Sequence, residues 1–365
     1  MGGFRSSNGY VGFAKQDDKT TETAPTTFVR LSSEEAMKQT QEVEEIRSLS
    51  GDRKLDAILK SQHKPGGNFE TYLRPGNGTE LLAYVLGSDT VVAGTGIYTH
   101  TIIQANVLPW LSFERQLDSI ERFIGCKIDQ AVITGNTGQT VKMSINYLAC
   151  NAKIKGSAAT PTYQTDKPFM FHNGIYTLDS GAITTISAFT ITINNNLKQE
   201  FTTSYLPDTL MEGEFDIEVN MTLKFEASET LYAKVLFGSA TALVDTLADG
   251  DFTVNLTYGS GTAERRLQFA IPALKHLDIE KHLDPVTKAV YLTLRSKPVK
   301  SASEIITVTG VNTISTDWAS ISASASVSPS SSASSSPSPS VSPSASASPS
   351  SSESASASPS ASMSS

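Results

Sequence analysis

Residues 214–225 alternate without a break. Phe215, Ile217, Val219, Met221, Leu223 and Phe225 fall on one side, and Glu214, Asp216, Glu218, Asn220, Thr222 and Lys224 on the other. Successive side chains of a strand point to opposite faces, so the pattern specifies a long strand with one dry and one wet face. The pattern recurs. Phe189, Ile191 and Ile193 alternate with Thr190 and Thr192, and Phe252, Val254, Leu256 and Tyr258 with Thr253, Asn255 and Thr257. Leu267, Phe269 and Ile271 form a short case, and Val290, Leu292 and Leu294 alternate with Tyr291 and Thr293. In the first half, Val141, Met143, Ile145 and Tyr147 do the same after a loop at Asn136 and Gly138. Thr and β-branched residues suit strands. The chain is therefore expected to be mainly β.

Helices are few. Residues 79–86 read as one, with Thr79 as N-cap, Glu80 in the first turn and Gly87 past the end. Residues 228–237 read the same way, with Glu229 early and Gly238 after the end. Residues 32–47 read as helix by propensity and, from Thr40, partly as strand by alternation.

The helices belong to a larger correspondence. Gly67-Asn-Phe-Glu70 precedes the first, which ends in Val85-Leu-Gly-Ser88; Gly213-Glu-Phe-Asp216 precedes the second, which ends in Leu236-Phe-Gly-Ser239. Lys127-Ile-Asp129 leads into the strand at 141–147, as His276-Leu-Asp278 leads into that at 290–294. Order, spacing and element type agree, which predicts an internal duplication. Each copy is long strands, one short helix, then more strands. The expected divisions are a first β domain with an N-terminal arm over 1–150, a polar linker over 151–167, and a second β domain over 168–300. Residues 301–319 are a connector or last strand, with Ile305, Ile306 and Val308 its apolar positions.

From Ser320 to the end the chain is almost only Ser, Ala and Pro, with Glu353 its one charge. Such a segment cannot bury a core and is expected to be disordered, its Ser-Pro steps favouring extended conformations. Of 365 residues, that leaves roughly 300 to fold, enough for two cores.

Composition narrows the function. A net charge of −8 argues against a general nucleic-acid binder, which needs a basic face, and against a surface held by anionic lipid. No apolar run approaches the ~18 residues that span a bilayer. Residues 1–6 lack the apolar stretch of a secretory signal; their match to the loose myristoylation pattern has no second membrane signal beside it. Cys126 and Cys150 are too few for a disulfide framework and are expected to be reduced. The sequons at Asn77, Asn220 and Asn255 are read as chance.

No catalytic constellation emerges. The five histidines are scattered, and His276 and His282 are wrongly spaced for a metal pair. No nucleophile elbow, zinc-protease motif or phosphate loop occurs. Gly94-Thr-Gly96 reads as a turn between strands. Asp245, Asp249 and Asp251 around Gly250 lack the spacing and closing Glu of a calcium loop, so Asp249-Gly250 reads as a turn before the strand at Phe252. Cys126 has no base marked beside it. Asp216 and Glu218 share a strand face and read as a solvated acidic stripe rather than a catalytic dyad. The expectation is a non-enzyme with no catalytic residue, metal ligand or cofactor.

A run of short segments resembles the tail tube proteins of long non-contractile-tailed bacteriophages. They are Tyr10-Val-Gly-Phe-Ala14, Ala24-Pro-Thr-Thr27, Gly67-Asn-Phe-Glu70, Leu81-Leu-Ala-Tyr-Val-Leu-Gly87, Gly125-Cys-Lys-Ile-Asp129, Pro168-Phe169, Ile193-Asn-Asn-Asn-Leu197 and Gly213-Glu-Phe-Asp-Ile217. Their order across residues 10–295 carries the resemblance; the Ser/Ala/Pro tail lies outside it. The resemblance implies two tandem β-sandwich or barrel tube domains, each with a short flanking helix. It implies self-assembly into stacked rings that form a conduit for genome ejection, with a duplicated chain forming a six-fold-like ring from three copies. It further implies a virion tail location after synthesis in the host cytoplasm. The tape measure protein and genomic DNA would pass through the lumen, tail terminator and tail tip proteins would be neighbours, and no membrane would be involved.

Geometry is compatible with that. Six domains giving about four strands each make a wall of about 24 strands, which at ~4.8 Å spacing and ~40° tilt has a diameter of about 48 Å. Side chains of roughly 5 Å on each side leave a bore of about 38 Å, wider than a duplex. One chain cannot close such a wall, so its strand edges need neighbours. The expected lumen-facing residues are Glu214, Asp216, Glu218 and Asn220, whose acidic and amide groups would repel phosphate. Residues 48–64 and 198–210 sit at matching places and are expected to be loops or hairpins reaching a neighbouring subunit or ring. The tail is expected on the outer surface, as a glycosylated or adhesive stalk or a solubilising segment. Two other readings stand beside this one. A surface adhesin or carbohydrate-binding β-sandwich on a Ser/Pro stalk suits the tail but lacks an aromatic platform, with Trp only at 110 and 318. A contractile or secretion-type tube shares the architecture, but the tail would crowd its sheath.

Overall fold

The computed structural model describes residues 9–33, 35–47, 55–225, 229–237, 245–283, 285, 289–300 and 304–319. The expected stalk at 320–365 and part of the expected loop at 48–64 lie outside them. In chain order the elements are β1 (Tyr10–Gln16), β2 (Thr27–Val29), β3 (Lys38–Ile46), β4 (Ala57–Tyr72), α1 (Asn77–Leu86), β5 (Thr90–Ala93), β6 (Tyr98–Ile103), β7 (Trp110–Gln116), β8 (Ile120–Asn136) and β9 (Lys142–Lys155). The second half adds β10 (Gly174–Leu178), β11 (Gly181–Ala182), β12 (Ile186–Asn194), β13 (Lys198–Glu200), β14 (Thr209–Met211), β15 (Asp216–Lys224), α2 (Glu229–Phe237), β16 (Asp249–Tyr258), β17 (Arg265–Leu283), β18 (Val290–Pro298) and β19 (Thr307–Asn312). The chain is mainly β, and every pairing between its strands is antiparallel.

The ambiguous stretch at 32–47 is strand over β3, because β4 supplies a full ladder for it and tertiary pairing overrides propensity. Helix α1 begins at Asn77, ahead of Thr79. Thr79 sits in the first turn, and its hydroxyl donates to the Pro75 carbonyl at 2.5 Å. Gly87 ends the helix at φ 91°, in the left-handed region that favours glycine. Asp249 and Gly250 open β16 rather than forming a turn. A Cβ at Gly250 would press on Asp179 and His276, so the small residue permits close packing there.

Neighbour order repeats. The first half runs β1, β7, β8, β9, β4, and the second runs β10, β16, β17, β18, β15. The β-bulges repeat too. One lies between Leu111 and Phe113 of β7 and its counterpart between Gly250 and Phe252 of β16. Another lies between Ile128 and Gln130 of β8 and its counterpart between His276 and Asp278 of β17. Two strand ladders, among other contacts, join the halves. The end of β8 pairs with β12 over Gln130–Asn136 and Ala188–Asn194, and β6 pairs with β19.

Each half centres on an aromatic group. Phe113 stacks on Tyr147 at 4.3 Å and packs near Phe13 and Phe69; Phe171, Tyr176 and Phe189 form the second group. Helix α1 is buried throughout and packs against β8 and β6. Cys126 and Cys150 are buried free thiols, and burial pushes Cys126 well up from the ordinary thiol range.

Beyond β19, residues 313–319 strap back across the first half. The Asn312 amide donates to the Pro75 carbonyl at 3.1 Å. The two ring nitrogens of buried His100 face acceptors, Asp89 Oδ2 at 3.0 Å and the Ile314 carbonyl at 2.9 Å. The Trp318 backbone N–H donates to the same Asp89 oxygen at 3.2 Å, and its indole stacks on the imidazole at 4.2 Å.

Candidate functional site

Seven strands run edge to edge without interruption: β4, β9, the end of β8, β12, β15, β18 and the end of β17. Their apolar residues, among them Phe69, Ile145, Ile133, Ile191, Val219 and Leu294, face the core and are buried. The opposite face is wet from one edge to the other.

Register builds that face. Thr192 stands opposite Glu218 and Asn194 opposite Asp216; Val132 and Gln130 continue the same rows on β8, and Ser144 and Asn146 on β9. The surface is mostly hydroxyl and amide, with charges set into it in pairs. Lys297 donates to Asp216 at 2.8 Å, Arg295 to Glu218 at 2.8 Å, and Lys142 to Glu70 at 3.0 Å. The Asn220 amide also donates to Glu218, at 2.8 Å. The Arg295 guanidinium, with Asn220, holds the Glu218 carboxyl below its ordinary range. Each pair is partly solvent-exposed, so water and salt screen it and it adds little to stability. Their effect on the field is larger: the face is neutralised locally.

Three of the four residues expected on a wet face, Asp216, Glu218 and Asn220, therefore share one. Glu214 precedes β15 and is exposed outside its ladder. Arg295 and Lys297 were not anticipated. Their signal is present in the sequence, because the alternation of Val290, Leu292 and Leu294 continues through both residues; only register shows that they meet the carboxylates.

No group of His, Cys, Asp or Glu among the described residues could hold a metal ion. One buried row has reactive residue types: His276 contacts Ser296 Oγ at 2.8 Å and Asp179 Oδ1 at 3.3 Å. His276 and Ser296 are fully buried, and burial pushes the imidazole below its ordinary range. A histidine buried in this way braces the sheet. No helix among the described residues is long and apolar enough to cross a membrane.

No curated protein matches the chain. The family described as phage tail tube protein matches residues 6–318, nearly all of the sequence ahead of the Ser/Ala/Pro tail. With that match and a mainly β fold carrying a broad polar sheet face, the chain belongs to the phage tail tube protein family, a structural component of the virion tail.

Proposed function

We propose that copies of this chain close into stacked rings, and that the wet face of the seven-stranded sheet lines the bore through which the genome leaves. The observation that carries this reading is the face itself: one continuous polar surface on which Lys142, Arg295 and Lys297 each pair with a carboxylate, with Asp278 and Glu280 as further exposed carboxylates on β17. A surface with no unpaired basic row gives phosphates nothing to release counterions against, so a duplex slides over it. The repeated strand order and bulges support two tube domains, over 1–150 and 168–300, joined by the stretch at 151–167. Three copies then make a ring of six-fold appearance. The tape measure protein occupies the bore before the genome, terminator and tip proteins meet the tube's ends, and the subunits are made in the host cytoplasm.

The test is the double variant Asp216→Lys, Glu218→Lys. It removes the carboxylates that Arg295 and Lys297 donate to and adds two cations beside them, turning the patch basic. Assembled tails carrying it are expected to eject DNA slower by about tenfold at low salt, with recovery as salt rises, because each phosphate contact is screened. Ejection at the wild-type rate from intact tails would remove this face from the bore.

A further inference from the structure

We propose that Leu236, Phe237, Leu247 and Leu277 form the docking face for a second copy of this chain, and that the occupant is that copy's β3–β4 hairpin. The inference rests on the self-assembly reading above and follows from comparing the two halves position by position.

In the first half, the last two residues of α1, Val85 and Leu86, are fully buried, and so is Leu108 ahead of β7. The cover over them is segment 195–212 of the second half, which carries the β13–β14 hairpin. Asn195 Nδ2 donates to the Val85 carbonyl at 3.1 Å and to the Ile128 carbonyl at 2.9 Å. The Leu197 N–H donates to Asp129 at 2.7 Å, and the Leu108 N–H to Glu212 at 3.3 Å. Lys127 pairs with Glu212. Seated this way, the hairpin's own Leu197 and Leu210 are buried.

Among the described residues, nothing covers the same positions of the second half. The last two residues of α2, Leu236 and Phe237, are 43% and 45% exposed. Leu247 precedes the β16 bulge as Leu108 precedes the β7 bulge, and is 48% exposed. Leu277 occupies the β17 bulge as Asp129 occupies the β8 bulge, and is 38% exposed.

The first half's hairpin is unseated in turn. Val43 and Ile58 hold the places in β3–β4 that Leu197 and Leu210 hold at β13–β14, and are 56% and 58% exposed. Ile58 stands as far ahead of α1 as Leu210 stands ahead of α2. The molecule thus shows one plug in its socket and leaves the other plug and socket apart. The end of β17 lies beside this face, and its outer edge corresponds to the β8 edge that pairs with β12. An open edge of this kind accepts a strand. A head-to-tail contact closes into a ring where its rotation divides the full circle, and otherwise winds into an open filament.

Two variants of the full chain test this: Phe237→Asp with Leu277→Asp, and Val43→Asp with Ile58→Asp. All four side chains are exposed, so folding is retained, as near-UV circular dichroism will verify. Each variant alone is expected to sediment as a monomer where the unaltered chain assembles. An equimolar mixture has one intact plug facing one intact socket, and is expected to give dimers and nothing larger. Either variant assembling by itself, or a mixture that stays monomeric, overturns the docking face while leaving the self-assembly reading in place. An unaltered chain that stays monomeric at every concentration overturns both.

Discussion

Asp89→Ala is expected to lower the free energy of unfolding by about 1–3 kcal/mol, the cost of leaving a buried polar group without its hydrogen-bond partner. Asp89 Oδ2 lies 3.0 Å from one ring nitrogen of His100 and the Ile314 carbonyl 2.9 Å from the other. Both the imidazole and the carboxylate are fully buried. Deleting it strands the imidazole away from water and also removes the acceptor for the Trp318 backbone N–H. The strap at 313–319 then loses one fixing directly, together with the partner that orients His100, which holds the strap at Ile314 and Trp318. Unfolding in denaturant measures the loss. In a Trp110→Phe background, Trp318 is the one remaining tryptophan, and its emission is expected to shift red before the global transition. A single transition at the unaltered midpoint would show that the pair holds nothing.

The second large effect concerns Glu80. It sits in the first turn of α1, buried, accepting hydrogen bonds from Thr27 and Tyr84 at 3.0 Å each. Burial raises its carboxyl to about 7, against an ordinary 4.5, and the two hydrogen bonds only partly oppose the rise. Between those values the folded state holds a proton that the unfolded state has released. Stability from this group is therefore complete below pH 4.5 and is lost as pH rises toward 7. The loss amounts to on the order of 3 kcal/mol. Glu80→Gln keeps an acceptor for both hydroxyls and cannot ionise. It is expected to raise stability by that order at pH 8 and to change it little at pH 4. Melting curves for the two proteins across that range should converge on the acid side; curves that stay parallel would refute the assignment.

Much of the fold is legible in the sequence wherever one strand face is wet. Strands β12, β15, β16 and β18 follow their alternation closely. The two longest strands are legible only in part, residues 267–271 of β17 alternating as expected, for two reasons. Residues 122–128 of β8 are buried without a break, so period two disappears, and the bulges in β8 and β17 shift its phase. Gly66 and Gly67 lie inside β4, where Gly67 lets the backbone pass close to Met37. The match of residues 67–70 to 213–216 also sets the first strands out of step. Strand β15 begins only at Asp216, which is why Glu214 falls off its face. The pairing of Arg295 and Lys297 with the carboxylates, and the unseated plug and socket, depend on register between distant segments.

The pairing of β6 with β19 sets a timetable for synthesis. Tyr98 pairs with Ala93 of β5 at once, but its partner on the other side, Asn312, comes far later, so the second edge of β6 stays unpaired until nearly the whole folded part has been translated. Pairing at such separation makes folding slow, because the loop must close before its contacts form. A nascent chain passes this period with an unpaired strand edge, the condition in which β proteins aggregate. Truncation anywhere before residue 307 would leave that edge permanently open, and the shortened product is expected in the insoluble fraction.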